Sequence, residues 1–218
     1  SMLLPSLKNA REKTKAVVCL SNQRQLGTAF AMFGADESGE LPPWCEANNT
    51  ATFVAYGTPS IMWDENIATY LGIEIDNPES GSAKLKADIK GSVEVMLCPT
   101  DEIERLSTNV YGATYAYNRT GISFFGKVFL ASFERPAEII VVTENPIDSH
   151  YLAYATHSDV IPTKQRVNFL GMHTPNTVAE KYNYLFVDGH VKTLPLASTL
   201  GIGTISAPKG LWTTDIND

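Results

Sequence analysis

Along the first third of the chain, apolar residues recur at spacings of three and four. Further on they give way to short β-type runs separated by turn residues. Residues 2–30 predict a long amphipathic helix that reaches Asp36, with Ala16, Cys19, Leu26, Ala29, Phe30 and Phe33 as the stripe that packs on a sheet. Turn residues between Gly34 and Gly39 stop it, and Leu41-Pro42-Pro43-Trp44 reads as an extended exit. Residues 44–60 read as loop, and a second helix is expected over Ser60 to Leu71, with Gly72 closing it. The polar stretch Asn77 to Gly91 reads as a surface loop. Strands are expected over Val93–Cys98 and Tyr111–Asn118, with a strand or short helix over Val128–Phe133. The β-branched run Glu138–Thr143 has the pattern of a central strand buried on both faces. Residues 182–194 read as two strands joined at Asp188-Gly189, a strong hairpin signal. The fold class that results is α+β, a long N-terminal helix laid on an antiparallel sheet with irregular loops. One domain over 1–218 is expected, divided into a helix over 1–38 and a head over 39–218.

The opening Met2-Leu3-Leu4-Pro5 is an apolar stub with no N-cap, and Leu7 extends it. Its simplest explanation is that the helix continues upstream into a hydrophobic segment. Within the chain itself no window reaches the ~18–20 apolar residues of a spanning helix. A net charge of −7 over 218 residues argues against nucleic acid as a partner. Five basic residues nevertheless cluster on the first helix (Lys8, Arg11, Lys13, Lys15 and Arg24), where anionic lipid or acidic partner subunits would meet them. The three cysteines lack a zinc pattern, since spacings of 26 and 53 contain no Cys-x-x-Cys. For Cys19 and Cys98 the sequence leaves two arrangements open, a disulfide in an oxidising compartment or two buried thiols.

His173, Asp188 and His190 are the candidates for metal or acid–base chemistry, because imidazole and carboxylate suit zinc or iron. The plainer use of Asp188 is to accept backbone hydrogen bonds in a turn for which Gly189 supplies positive φ. No His-Glu-x-x-His, Gly-x-Ser-x-Gly or phosphate-cradling Gly-x-x-x-x-Gly-Lys motif occurs. Glu144, Asn145, Asp148, Ser158 and Asp159, and the tail Asp215 to Asp218, are oxygen-rich enough for calcium, though solvated loops are their simpler use. Tyr111, Tyr115, Tyr117, Phe124 and Phe125 offer rings for sugars or bases, or for cross-strand packing.

Several of these segments resemble one family. Met2-Leu-Leu-Pro5-Ser-Leu-Lys-Asn-Ala-Arg-Glu12 is similar to the run after the hydrophobic helix of bacterial type IV pilin-like proteins. Cys19-Leu-Ser-Asn-Gln-Arg-Gln-Leu-Gly27, Leu97-Cys98-Pro99 and Phe186-Val-Asp-Gly-His-Val-Lys192 resemble later motifs of the prepilin-type group. That group's closing hairpin has a histidine ten residues before its aspartate. Here His173 lies fifteen before Asp188, so the pairing of His173 with the hairpin departs from the pattern. The resemblance implies a pilin-like fold and a pseudopilin of a type II (general) secretion or type IV pilus-like filament. Such a subunit loses a leader, undergoes prepilin-type N-terminal methylation and is anchored in the bacterial inner membrane. Its head is periplasmic or at the cell surface and non-catalytic. Its partners are other pilin or pseudopilin subunits, met through the helix at Leu3, Leu4, Pro5 and Leu7. No cofactor is required, although calcium is held in a C-terminal loop of major secretion pseudopilins. Two alternatives from other classes are a surface-anchored ligand- or carbohydrate-binding module and a metal-dependent hydrolase using His173, Asp188 and His190.

Overall fold

The computed structural model describes residues 3–43, 45–47, 60–75, 89–90, 93–101, 114–118, 122, 127–144, 181–203 and 209–215. Helix α1 (Leu3–Asp36) has 34 residues, so at 1.5 Å per residue it is about 51 Å long. Pro5 sits in its first turn, where a missing N–H removes no intrahelical bond. The helix ends where Ser38 and then Gly39 turn to positive φ (57° and 89°), with Gly39 N donating to Gly34 O at 2.6 Å, a Schellman-type close. The exit then runs beside residues 127–130: Leu41 N donates to Val128 O and Leu130 N to Gly39 O.

Strands β1 (Cys45–Ala47) and β2 (Ser60–Met62) pair antiparallel and lead into α2 (Trp63–Ala68) and a 3-10 turn over Thr69–Leu71. Both strands fall outside expectation, since by sequence residues 44–60 read as loop and Ser60–Met62 as helix. Residues 60–62 pair with 45–47 instead, and helix begins only at Trp63. Inside the stretch read as a loop, Ile89–Lys90 forms β4 and pairs with β3 (Glu74–Ile75).

The main sheet is antiparallel in the order β5 (Tyr115–Tyr117), β6 (Ile140–Glu144), β7 (Lys181–Phe186), β8 (Val191–Pro195). Every residue of β6 is buried, as the apolar run predicts, with a register irregularity between Ile140 and Val142. One face meets α1 and α2 through Leu26, Phe30, Trp63, Ile67, Tyr117 and Leu185. Phe30 lies 5.8 Å from Trp63 and 6.3 Å from Tyr117, centroid to centroid. The opposite face carries Ala116, Ile140, Tyr184 and Phe186 and is closed by the C-terminal turns Leu196–Thr199 and Gly210–Trp212. There Trp212 stands edge-on to Tyr184 at 5.9 Å, and its Nε1 donates to Thr199 Oγ1 at 2.8 Å. The helix-on-antiparallel-sheet arrangement expected from the sequence is therefore present.

The segment Val93–Cys98 is not a strand. Its centre, Glu94–Met96, is a 3-10 turn. Asn22 Nδ2 of α1 donates to Glu94 O (3.0 Å) and Leu97 O (2.9 Å), taking carbonyls that a ladder would use, and Pro99 supplies no N–H. Val128–Phe133 resolves to a 3-10 turn at Leu130–Ser132. Of the Tyr111–Asn118 stretch, Tyr115–Tyr117 is strand and 111–113 lie outside the described residues.

Candidate functional site

Helix α1 divides into two halves. From Cys19 onward its stripe is buried: Cys19, Asn22, Gln23, Leu26, Ala29, Phe30 and Phe33 all face the sheet or its loops. Before Cys19 no residue from Leu4 onward is buried, and Leu4 (70%), Leu7 (64%) and Val17 (64%) are largely exposed. Leu3 continues the helical backbone; its side chain is outside the described set. Lys8, Arg11 and Lys13 are exposed on this half, and Lys15 Nζ lies 3.4 Å from Glu12 Oε1. An apolar, basic helix end thus stands clear of the sheet by about four turns.

Cys19, the first buried residue of α1, is bonded to Cys98 with Cα atoms 4.9 Å apart. Of the two arrangements open to this pair, the chain takes the disulfide. Thr100 Oγ1 lies 2.8 Å from Cys98 Sγ and 3.5 Å from Cys19 Sγ. A carboxylate oxygen of Glu144 lies within 4.8 Å of both sulfurs. With the sulfurs joined there is no thiolate to bind a cation. Glu144 itself is fully buried and accepts from Asn183 N (2.9 Å) and Nδ2 (3.0 Å).

Asn183 is the hub of this layer. Its carbonyl accepts from Gln23 Nε2 and Thr143 Oγ1, both at 3.1 Å, and its Oδ1 accepts from Thr193 Oγ1 at 2.6 Å. The nearby Tyr115 phenol is pushed far up by burial and, secondarily, by the charge of Glu144. Sequence reasoning missed this layer. Its signal was polar Asn22-Gln23 inside an apolar helix stripe and Asn183 between Tyr182 and Tyr184.

At the hairpin turn, Gly189 has φ +89° and Asp188 Oδ1 accepts from His190 N (3.1 Å) while lying 2.6 Å from His190 Nδ1. The His190 ring stacks on Phe186 at 4.2 Å and 9°. Val187 N and Asp188 N donate to Ile139 O and Pro136 O, which fixes the turn on the neighbouring segment. Among the described residues no third carboxylate, thiol or imidazole joins Asp188 and His190 within ligand distance. His173 lies outside the described residues, as do Asn145, Asp148, Ser158, Asp159, Asp218, Tyr111, Phe124 and Phe125. Glu144 is committed to Asn183 inside the protein, not offered on a calcium loop, and Asp215 supplies its carbonyl to Arg135 Nη2 at 3.1 Å. Tyr115 and Tyr117 are core residues, 1% and 2% exposed, and present no stacking platform for a sugar.

The turn also touches α1. A Cβ built on Gly27 would lie 2.9 Å from Gly189 O and 2.9 Å from Leu185 Cδ1, so helix and hairpin meet backbone to backbone. Beside this contact opens a groove of about 530 Å³, walled by Thr28 and Ala31 of α1, by Leu41 and Leu130, and by Pro136 and Asp188. Comparison with protein-family models, with curated proteins and with solved structures finds no match to this chain.

Proposed function

We propose that the chain is the head and lower helix of a pilin-like subunit, a pseudopilin of a type II secretion or type IV pilus-like filament. The full-length protein is anchored in the inner membrane by the upward continuation of α1, and its head faces the periplasm or cell surface. The observation that carries this reading is the division of α1. One half is locked into the core, while the other holds Leu4, Leu7 and Val17 largely exposed, 64–70% of each open to solvent. Exposed leucines on a helix end cost solubility unless something covers them in use, and a membrane followed by neighbouring helices is such a cover.

Two further features fit. The disulfide ties α1, at the residue where the helix enters the head, to the segment that follows the 3-10 turn Glu94–Met96, so the helix is held to the head by a second covalent link. A disulfide also belongs to an exported domain. On this reading the protein works through its shape and contacts, and Asp188 and His190 shape the turn that grips Gly27.

The test is expression of the full-length gene in its own cell type. The product is expected in the membrane fraction, with a processed N-terminus and a head that external protease can reach once the outer layers are opened. A product that begins at Met2, stays in the cytoplasmic fraction and keeps reduced cysteines would overturn the reading.

A further inference from the structure

We infer that the bases on the free half of α1 form a belt that binds anionic phospholipid headgroups, an inference that rests on the membrane-anchored reading above. Lys8, Arg11 and Lys13 are exposed, and Lys15 joins them with its Nζ 3.4 Å from Glu12 Oε1. Glu12 is the only acidic residue before Asp36, so four bases stand against one acid here.

These bases are ordered by height along the helix, not by face. Lys8 and Lys15 share a side, whereas Lys13, five residues after Lys8, lies about 140° round the helix from it. A protein groove reads one side of a helix; a belt that reaches round it is met by a planar layer. Apolar side chains come first, since Leu4 (70% exposed) and Leu7 (64%) precede the belt and reach the edge of the hydrocarbon. From Lys8 to Lys15 the helix rises about 10 Å. That suits one headgroup layer of about 5–8 Å, because the flexible stems of lysine and arginine reach along the helix to it. Arg24 is about 14 Å further on, level with the buried stripe, and stands outside the belt. The chain's net charge of −7 opposes this binding only weakly. Arg11 stands about 12 Å from Cys19, where the head begins, and charges are screened over about 8 Å at physiological salt.

The test sediments the 218-residue chain with vesicles of phosphatidylcholine alone or with about one third phosphatidylglycerol. Binding is expected to the anionic vesicles at about 0.05 M salt and to be lost at about 0.5 M. The variant Lys8→Gln/Arg11→Gln/Lys13→Gln is expected to bind them on the order of fiftyfold more weakly, with unchanged circular dichroism because these side chains are exposed. Arg24→Gln is expected to stay within about twofold of wild type. Equal sedimentation with both vesicle types, or a triple variant that binds as well as wild type, would overturn the belt. Binding to polyglutamate through the same three bases, with none to the vesicles, would overturn it in favour of an acidic protein partner. None of these results depends on whether the full-length protein is anchored, which fractionation reads separately.

Discussion

Replacing Gly27 by alanine sets two opposing terms against each other, and the structure decides the sign. An interior helix glycine replaced by alanine ordinarily gains about 1 kcal/mol, because less backbone entropy is lost on folding. Here the new methyl would sit 2.9 Å from Gly189 O and from Leu185 Cδ1, and 3.4 Å from Gly189 Cα. Leu185 is fully buried and the Gly189 carbonyl is backbone of a turn pinned to Pro136 and Ile139, so neither gives way cheaply. Overpacking of this kind costs about 1–3 kcal/mol, which leaves a net loss of about 1 kcal/mol and a fall in Tm of about 2–4 °C for a chain of this size. The control is Gly34→Ala, whose methyl would meet the mobile end of Leu130 at 3.2 Å and Glu40 O at 3.3 Å. Its smaller clash leaves it the more stable of the two variants. Urea and thermal unfolding followed by far-ultraviolet circular dichroism read both. A Gly27→Ala protein more stable than wild type by the full helix-propensity gain would refute the close approach of helix and hairpin.

Other expectations follow from the same packing. The double variant Cys19→Ser/Cys98→Ser opens a loop of 79-residue separation and should lose about 4 kcal/mol of unfolding free energy in urea titration; an unchanged midpoint would mean that the bridge constrains nothing. Glu144→Ala strands two buried donors of Asn183 and should cost about 2–4 kcal/mol, with Glu144→Gln milder; a neutral Ala variant would remove Glu144 from the structural account. Burial holds the phenols of Tyr115 and Tyr117 well above the usual tyrosine range. Their folded pKa values exceed the unfolded one, so this contribution is intact below about pH 10 and is lost as pH climbs past it. An ultraviolet titration should therefore show both rings ionising only as the chain unfolds, and early, reversible ionisation of all nine tyrosines would contradict their burial. By contrast, Leu4→Lys and Leu7→Lys should leave stability within about 0.5 kcal/mol of wild type, because neither side chain touches the core.

The elements with a strong period were legible from sequence. The stripe from Cys19 to Phe33, the β-branched run of β6 and the Asp-Gly hairpin each repeat a pattern that burial enforces. Val93–Cys98 misled because its residues suit a strand, while Asn22 of a distant helix claims its carbonyls. Ser60–Met62 misled because a short apolar run before a helix carries no period of its own. The Glu144–Asn183–Gln23 layer was hidden for a different reason. Each member looks like an isolated polar residue until β6, β7 and α1 bring them together across 160 positions of chain. The disulfide stood in between, since spacing left it open and the fold closed it.

The central claim is that the free half of α1 is an assembly and anchoring element. Its most direct test places a photo-activated cross-linker at position 7 of the full-length protein in intact cells, with position 202, 77% exposed on the head, as the control. A ladder of products from position 7 that contain further copies or other helix-anchored subunits is expected, with little from position 202. Products from position 202 alone, with position 7 silent, would contradict it.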